Sequence, residues 1–259
     1  QIEQVRVNLG LDQPIYIQYL NYLDRLSKGD LGKTIRGGQP VLEVIFQRLP
    51  NTILLATSAM MIAILLGVPL GFLAAYNKGT ISDTFIMILA ISGISMPHFW
   101  LGLILLFIFA VDLGWLPVSG SGLLNLVLPA LTLGISNAAI FARLTRTSMI
   151  EILQQDFVIT ALAKGLPKKY VLRKHVLRAG LIPLVTMMGM QFAFMMGGAI
   201  VVENIFSWNG VGRMAVEAIF QRDYPIIQGF ILTFSVIVVF VTISLDVIYA
   251  FIDPRIRRS

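Results

Sequence analysis

The chain has 259 residues, of which 56% are hydrophobic and only 13% are charged, whereas soluble domains are roughly a quarter charged. This excess of apolar surface requires lipid, and the absence of cysteine excludes disulfides and thiolate metal sites. The net charge of +6 does not indicate nucleic-acid binding, because the basic residues lie at the ends of apolar segments and in one loop.

Residues 1–50 are polar and mixed, and we expect an extracytoplasmic region with short helices. Residues 15–26 have helical apolar spacing, and residues 41–49 have an apolar stripe typical of an interfacial helix leading into the membrane. The Gly-Lys-Thr sequence at residues 32–34 is similar to the end of a phosphate-binding loop. Ser27 stands where that loop requires glycine, which argues against nucleotide binding.

Five apolar segments follow, each long enough to cross a bilayer, since about 20 apolar residues span its hydrocarbon core. Gly67 and Gly71 lie one helical turn apart in the first segment and allow close approach of another helix. Gly93 and Pro97 predict a kink or break in the second. The predicted spans are residues 51–75, 84–111, 123–142, 181–202 and 226–251.

The distribution of Lys and Arg orients these spans. Residues 76–83, 143–180 and 252–259 together hold 12 Lys/Arg and 4 Asp/Glu, whereas the connecting segments on the other side hold 8 and 9. Cytoplasmic loops retain positive charge. We therefore expect the first group to be cytoplasmic and residues 1–50 to be outside.

Residues 151–180 form a long basic loop between the third and fourth spans. We predict one helix over residues 149–163, a left-handed cap at Gly165 and a second helix over residues 168–177. This arrangement predicts a compact cytoplasmic knob, either a membrane-surface loop with basic anchors or a docking surface for a soluble partner. Its basic residues are Lys164, Lys168, Lys169, Arg173, Lys174 and Arg178.

Residues 159–186, ITALAKGLPKKYVLRKHVLRAGLIPLVT, resemble the cytoplasmic loop of bacterial ABC importer permeases. They are most similar to the B-type permease subunit of oligopeptide/dipeptide importers. Gly165 takes the position of the motif's glycine and Ala161 that of the second alanine, whereas Ile159 stands where glutamate is usual. The T-A-x-A-K-G-L pattern is typical of the peptide-importer variant.

Further stretches are similar to that subfamily, and their order and spacing extend the resemblance over nearly the whole chain. They are RLPNT at residues 48–52, GVPLG at 67–71, FWLG at 99–102, GWLP at 114–117, VENIFSW at 202–208 and DPR at 253–255.

The resemblance implies an all-α membrane protein with the fold of a type I ABC importer transmembrane domain, covering residues 51–253 with a cytoplasmic tail at 254–259. Because such permeases normally begin inside the cell, we expect a sixth span before residue 1. The implied function is a non-catalytic permease subunit of an ATP-driven, binding-protein-dependent importer in a bacterial or archaeal cytoplasmic membrane. Peptides are the expected substrate, with nickel or glutathione as alternatives and an ion-coupled secondary transporter as a more distant one.

The resemblance also implies partners: a homologous second permease in a heterodimer, two cytoplasmic ABC ATPases and an extracytoplasmic solute-binding protein. No cofactor is expected in this chain, because ATP and Mg²⁺ would be bound by the ATPases. The expected ATPase-coupling residues are Ile159, Thr160, Ala161, Leu162, Ala163, Lys164, Gly165 and Leu166.

A second set of residues is predicted to line the substrate pathway or an outer gate. It comprises Glu203, Asn204, Met187, Met190, Phe194 and Asp246. Adaptable Met surfaces suit varied ligands, and Asp246 is the charged residue inside a predicted span. Helix packing and ordinary hydrogen bonding are the alternatives for these residues. No metal site is predicted, and His98 is expected to cap or hydrogen-bond beside Pro97.

Overall fold

The computed structural model describes residues 13–120, 122–172 and 176–252, and the regular elements in these ranges are helices. They are α1 (Ile15–Ser27), α2 (Val41–Tyr76), α3 (Ile81–Ser95), α4 (His98–Leu106, continuing as a π-helix over Phe107–Asp112), α5 (Leu123–Leu153), α6 (Asp156–Ala163), α7 (Lys168–Val171), α8 (Leu177–Ile205), α9 (Val211–Gln221) and α10 (Tyr224–Ile252). Residues 254–259 of the predicted tail lie outside the described residues.

Helix α2 runs without interruption through Pro50 and Pro69. The stretch of residues 41–49 is helical as predicted, and it is the first part of α2, which continues into the predicted span of residues 51–75. Val41 and Ile45 are fully buried and pack with the start of α9. This packing holds the part of α2 that precedes Pro50, although each proline removes one backbone hydrogen bond from the helix.

The crossing of α2 and α5 forms the centre of the fold, and small residues make it close. A Cβ atom added to Gly67 would lie 2.8 Å from the Cβ of Phe141, and one added to Gly71 would lie 2.6 Å from the Cβ of Thr145. Both distances are too short for a real side chain. The close approach predicted for this glycine pair is confirmed.

Helices α3 and α4 form one broken span. They meet at a bend of 101° at Met96 and Pro97, where a kink or break was predicted. The start of α3 bonds to Arg146 near the end of α5, whereas the chain after α4 leads directly into the start of α5. Because α5 has 31 residues and rises about 1.5 Å per residue, the broken pair connects opposite ends of the subunit.

Helix α5 extends well beyond the predicted span of residues 123–142 and ends at Leu153. The predicted helix over residues 149–163 is therefore wrong at its start, since its first five residues belong to α5 and α6 begins at Asp156. Met149 and Ile152 are buried at this end of α5. Their packing gives α5 a reason to continue past residue 142, the end of the predicted span.

Among the described residues, three helices are long and apolar enough to cross a membrane, or up to five if each of two bent pairs counts as one span. The second bent pair lies within α8, which bends by 43°. We name the end that holds α6 and α7 cytoplasmic and the opposite end outer, following the Lys/Arg distribution. The stretch that precedes α2 lies at the outer end, where the Ile35 amide donates to Asp223 at 2.9 Å.

Candidate functional site

The cytoplasmic end carries a small projection, which we call the cytoplasmic knob and define as α6, the turn at Gly165 and α7 (residues 156–171). Its base is an apolar cluster that includes Ala75 at the end of α2 and Val158 in α6, together with Met149, Ile152, Val171, Leu172 and Val176. Val158 is fully buried there. The knob is therefore anchored to three different parts of the subunit.

The outward face of the knob is apolar although it is exposed. Ile159 is 55% exposed, Leu162 is 42% exposed and Leu166 is 37% exposed. Ala163 and Lys164 are also exposed. Such a group of exposed apolar side chains on an anchored helix is characteristic of an interaction surface.

Ala161 points the other way and packs against the buried cluster beneath α6. Packing within the subunit therefore gives Ala161 a reason to be small. Gly165 has a φ of +79°, and a Cβ there would have open space. The left-handed cap predicted at Gly165 is confirmed, and it turns the chain from α6 towards α7.

A buried ion pair braces the same end of the subunit. Arg146 of α5 donates to both carboxylate oxygens of Asp83 in α3, at 2.5 and 2.7 Å. Asp83 is 4% exposed and also accepts from the Gly79 amide at 3.0 Å. This bidentate pair joins the turn between α2 and α3 to the part of α5 that leads into the knob.

The outer end is organised around a buried carboxylate. Glu203 near the end of α8 is fully buried. Its Oε1 accepts from the Thr52 hydroxyl at 2.6 Å, and its Oε2 accepts from the Arg213 amide at 2.9 Å. The Val211 amide donates to the Thr52 hydroxyl oxygen at 2.9 Å. Glu203 thus ties α2 and the start of α9 to α8.

Further bonds close the loop between α8 and α9. The Trp208 indole donates to the Asn51 carbonyl at 3.0 Å, and the Asn51 amide nitrogen donates to the Asn209 carbonyl at 2.8 Å. Arg213 donates to the Ser207 carbonyl at 2.6 Å. These bonds join the stretch around residues 48–52 to the loop that follows α8.

The residues predicted for the pathway lie in different environments. Glu203 is enclosed as described, and Asn204 donates to the Ile200 carbonyl of its own helix at 2.7 Å. Met187 is partly buried in the central apolar core. Met190 and Phe194 are 53% and 67% exposed on one face of α8. Asp246 belongs to α10, but its side chain lies outside the described residues.

Three further polar residues lie near Phe194, and sequence reasoning either missed or misjudged them. Phe194 lines a cavity together with His98, Asn137 and Gln191. The Nδ1 atom of His98 is buried and has no hydrogen-bond partner in the described structure, so the capping or hydrogen-bonding role expected for His98 is not seen at that atom. Uncharged amides inside apolar spans were the signal that could have identified Asn137 and Gln191.

The described residues contain no group of three or more His, Cys, Asp or Glu side chains that could hold a metal ion. The fold and the two ends instead define a class of protein: a multi-pass helical membrane subunit that presents a small anchored helix at one end.

Comparison with known proteins places this subunit in a family. Residues 67–258 match the family described as "Binding-protein-dependent transport system inner membrane component", and the chain belongs to that family. The glutathione transport system permease protein GsiC of Escherichia coli (strain K12) is 44% identical over 257 residues, which are 99% of this chain and 84% of that protein. GsiC of Salmonella typhimurium (strain LT2) has the same identity and coverage.

Solved structures share the fold. The inward-facing MetNI methionine ABC transporter matches with a TM-score of 0.72 at 16% identity, over 83% of this chain and 99% of that one. The crystal structure of an amino acid ABC transporter with histidines matches with a TM-score of 0.65 at 15% identity, over 81% and 94%. At these identities the likeness shows the architecture of the transmembrane domain.

The chain is therefore a permease subunit of a binding-protein-dependent ABC importer in the cytoplasmic membrane. It is non-catalytic, and partner ATPases hydrolyse ATP. The family also implies a substrate-binding protein as a partner. The more distant expectation of an ion-coupled secondary transporter is excluded by this membership.

Proposed function

We propose that this subunit forms one half of the passage through which a short peptide enters the cell. A homologous second permease would supply the other half in a heterodimer, and two ATPases would dock at the cytoplasmic end. ATP and Mg²⁺ would bind to the ATPases alone. The observation that carries this proposal is the apolar, exposed face of the anchored cytoplasmic knob.

The knob has the properties that a coupling element needs. Its outward side chains, Ile159, Leu162 and Leu166, gain by leaving water when a partner's cleft covers them. Its inward side chain Val158 is held in the subunit's own core. Because the same short helix contacts both proteins, closure of the ATPase pair would move α2, α5 and α8 as packed bodies.

The residues from Ile159 to Leu166 therefore divide by role. Ile159, Leu162, Ala163 and Leu166 would contact the ATPase, with Thr160 and Lys164 beside them. Ala161 would hold the helix on its base. Gly165 would set the angle at which the chain leaves α6.

The substrate proposal is supported by the relatives. GsiC is named for transport of glutathione, a tripeptide, and this chain matches it over nearly its whole length. Glutathione is accordingly the second candidate beside ordinary di- and oligopeptides. Selection between them would rest largely with the separate binding protein, because that protein captures the solute first.

The test is uptake by the complete importer reconstituted in proteoliposomes with its binding protein. Labelled trialanine and labelled glutathione would be offered with and without ATP inside. We expect ATP-dependent uptake of at least one. Uptake of neither, or uptake that does not require ATP, would overturn the peptide assignment. Native mass spectrometry of the same complex should show one copy each of two different permeases, and two copies of this chain would contradict the heterodimer.

A further inference from the structure

A polar cavity lies within the membrane-spanning part of the subunit, between α4, α5 and α8. Its volume is about 230 Å³, enough to hold several waters or one residue-sized group. The lining residues are His98, Leu133, Asn137, Gln191, Phe194 and Met195. None of these is an Asp, Glu, Lys or Arg.

The cavity lies deep in the membrane. Gln191 is the central residue of α8 and stands about midway between Arg178 and Glu203, the nearest charged residues along that helix. At 1.5 Å per residue, each of these is roughly 18 to 20 Å away along the helix axis. His98 begins α4 directly after the break in the α3–α4 span. The polar lining is therefore surrounded by apolar helix above and below.

Hydrogen bonds within the subunit hold some polar atoms of this lining and leave others without a partner. Asn137 is 2% exposed, and its amide nitrogen donates to the Leu133 carbonyl at 2.7 Å. Its Oδ1 accepts from the Gln191 amide nitrogen. Within the described residues, no hydrogen bond reaches Gln191 Oε1 or the buried Nδ1 of His98. Asn137 thus orients Gln191 and leaves its carbonyl oxygen available.

The cavity opens to the surface of the subunit beside Phe194, which is 67% exposed. Polar side chains and broken helices at membrane depth occur where protein or a water-filled space covers them, and not against lipid. In a two-permease importer, the passage between the subunits is the space that meets this requirement.

We propose that His98, Asn137 and Gln191 form a transient binding site for the neutral main-chain amides of the transported peptide. A peptide amide offers one donor and one acceptor, which match the Gln191 carbonyl oxygen and, because Nδ1 of His98 is buried, the N–H group at Nε2 of that neutral ring. The uncharged lining suits the middle of a peptide, and Phe194 and Met195 provide apolar contact for varied side chains. This inference rests on the proposed peptide substrate and adds the residues that contact it.

The absence of cysteine from the chain permits a direct test of water access. Single variants Gln191→Cys, Phe194→Cys and Val239→Cys would be assembled into the complete importer and treated with a charged methanethiosulfonate reagent. Val239 is the matched control, because it is 56% exposed near the centre of α10. We expect labelling at residues 191 and 194 in at least one nucleotide state, none at 239, and slower labelling with trialanine or glutathione present. No labelling at 191 and 194 in any state would overturn the inference, because a partner helix would then fill the cavity.

Uptake by a Gln191→Met variant separates this inference from the proposed function. We expect uptake to fall by about tenfold, as for loss of one hydrogen bond in the passage, while ATP hydrolysis stimulated by the loaded binding protein is retained. Unchanged uptake by this variant would overturn the binding site and leave the peptide assignment standing. If wild-type importer takes up neither peptide, the proposed function fails and the inference fails with it.

Discussion

The two ends of this subunit differ in which side chains they bury and which they expose. At the cytoplasmic end, Ile159 and Leu162 are about half exposed although they are apolar. At the outer end, Glu203 is charged at neutral pH when unperturbed and yet fully buried, with partners from α2 and α9. The buried carboxylate at the outer end is hydrogen-bonded within the subunit, whereas the anchored helix α6 at the cytoplasmic end leaves an apolar face uncovered. The comparison supports the proposal that a partner covers the cytoplasmic knob, whereas the outer loop is held by the subunit itself.

The largest expected effect comes from placing charge on the exposed apolar face at the cytoplasmic end. Replacing both Ile159 and Leu162 with Asp would place two carboxylates in an apolar interface, where an unpaired charge is strongly unfavourable. We expect co-purification of the ATPases to fall by at least about 30-fold, the scale of one interface hot spot. Quantitative pull-down with tagged permease measures this.

Ile35→Asp is the matched control for that variant. Ile35 is 51% exposed, as Ile159 nearly is, but it lies at the outer end. Its replacement should leave ATPase recovery at the wild-type level. Equal loss from both variants would mean that charge on any exposed surface disturbs assembly, and the special role of α6 would be rejected.

The next largest effect comes from removing the buried carboxylate at the outer end. Glu203→Ala removes the acceptor for the Thr52 hydroxyl and the Arg213 amide, and leaves space beside Gly210. We expect a loss of about 3 kcal/mol in the free energy of unfolding, since each buried polar group left without its hydrogen-bond partner costs about 1 to 3 kcal/mol. The midpoint of thermal unfolding in detergent measures the change. Recovery of the ATPases at a temperature where the variant is folded should be unchanged.

A smaller effect concerns the shape of the knob. Gly165→Val places a β-branched residue at a φ of +79°, and left-handed backbone costs such residues about 1 to 2 kcal/mol. We expect several-fold less solute transported per ATP hydrolysed. Gly165→Asn is the control, because asparagine tolerates this conformation. Equal coupling by the two variants would show that the cap does not matter for transport.

The smallest expected effect comes from removing Glu217, a partly exposed carboxylate at the outer end. Glu217 is 41% exposed at its side chain and pairs with Arg213 at 2.9 Å and Arg48 at 3.4 Å. Ion pairs of this exposure contribute about 1 kcal/mol or less. Glu217→Ala should therefore shift thermal unfolding far less than Glu203→Ala. A shift as large as that of Glu203→Ala would contradict the distinction between the buried and exposed carboxylates.

Several features of the fold could be predicted from the sequence because they depend on local chemistry. The glycines at positions 67 and 71, the break at Pro97 and the left-handed cap at Gly165 were all predictable, because each depends on the backbone or size of one residue type. Continuity of α2 through Pro50 was not predictable. Val41 and Ile45, which precede Pro50, are buried against a helix about 170 residues later in the chain, and single-residue propensity does not carry that information.

For the candidate sites too, some features could be predicted from the sequence and others depend on the fold. The position of the knob followed from its basic loop and motif, but the inward packing of Ala161 requires knowledge of the cluster beneath it. Glu203 was expected beside an outer gate, and only the fold brings Thr52 to its carboxylate. Gln191 and Asn137 are separated by 54 residues, so neither residue alone indicated a shared polar cavity.

The most direct test measures both ends in one set of preparations. Wild type, the Ile159→Asp/Leu162→Asp variant and Glu203→Ala would each be purified with tagged permease, and ATPase recovery and thermal unfolding would be recorded for each. We predict that the first variant loses the ATPases and keeps its unfolding midpoint, whereas the second keeps the ATPases and loses stability. Retention of the ATPases by the Ile159→Asp/Leu162→Asp variant would contradict the account that the apolar face of α6 is where they dock.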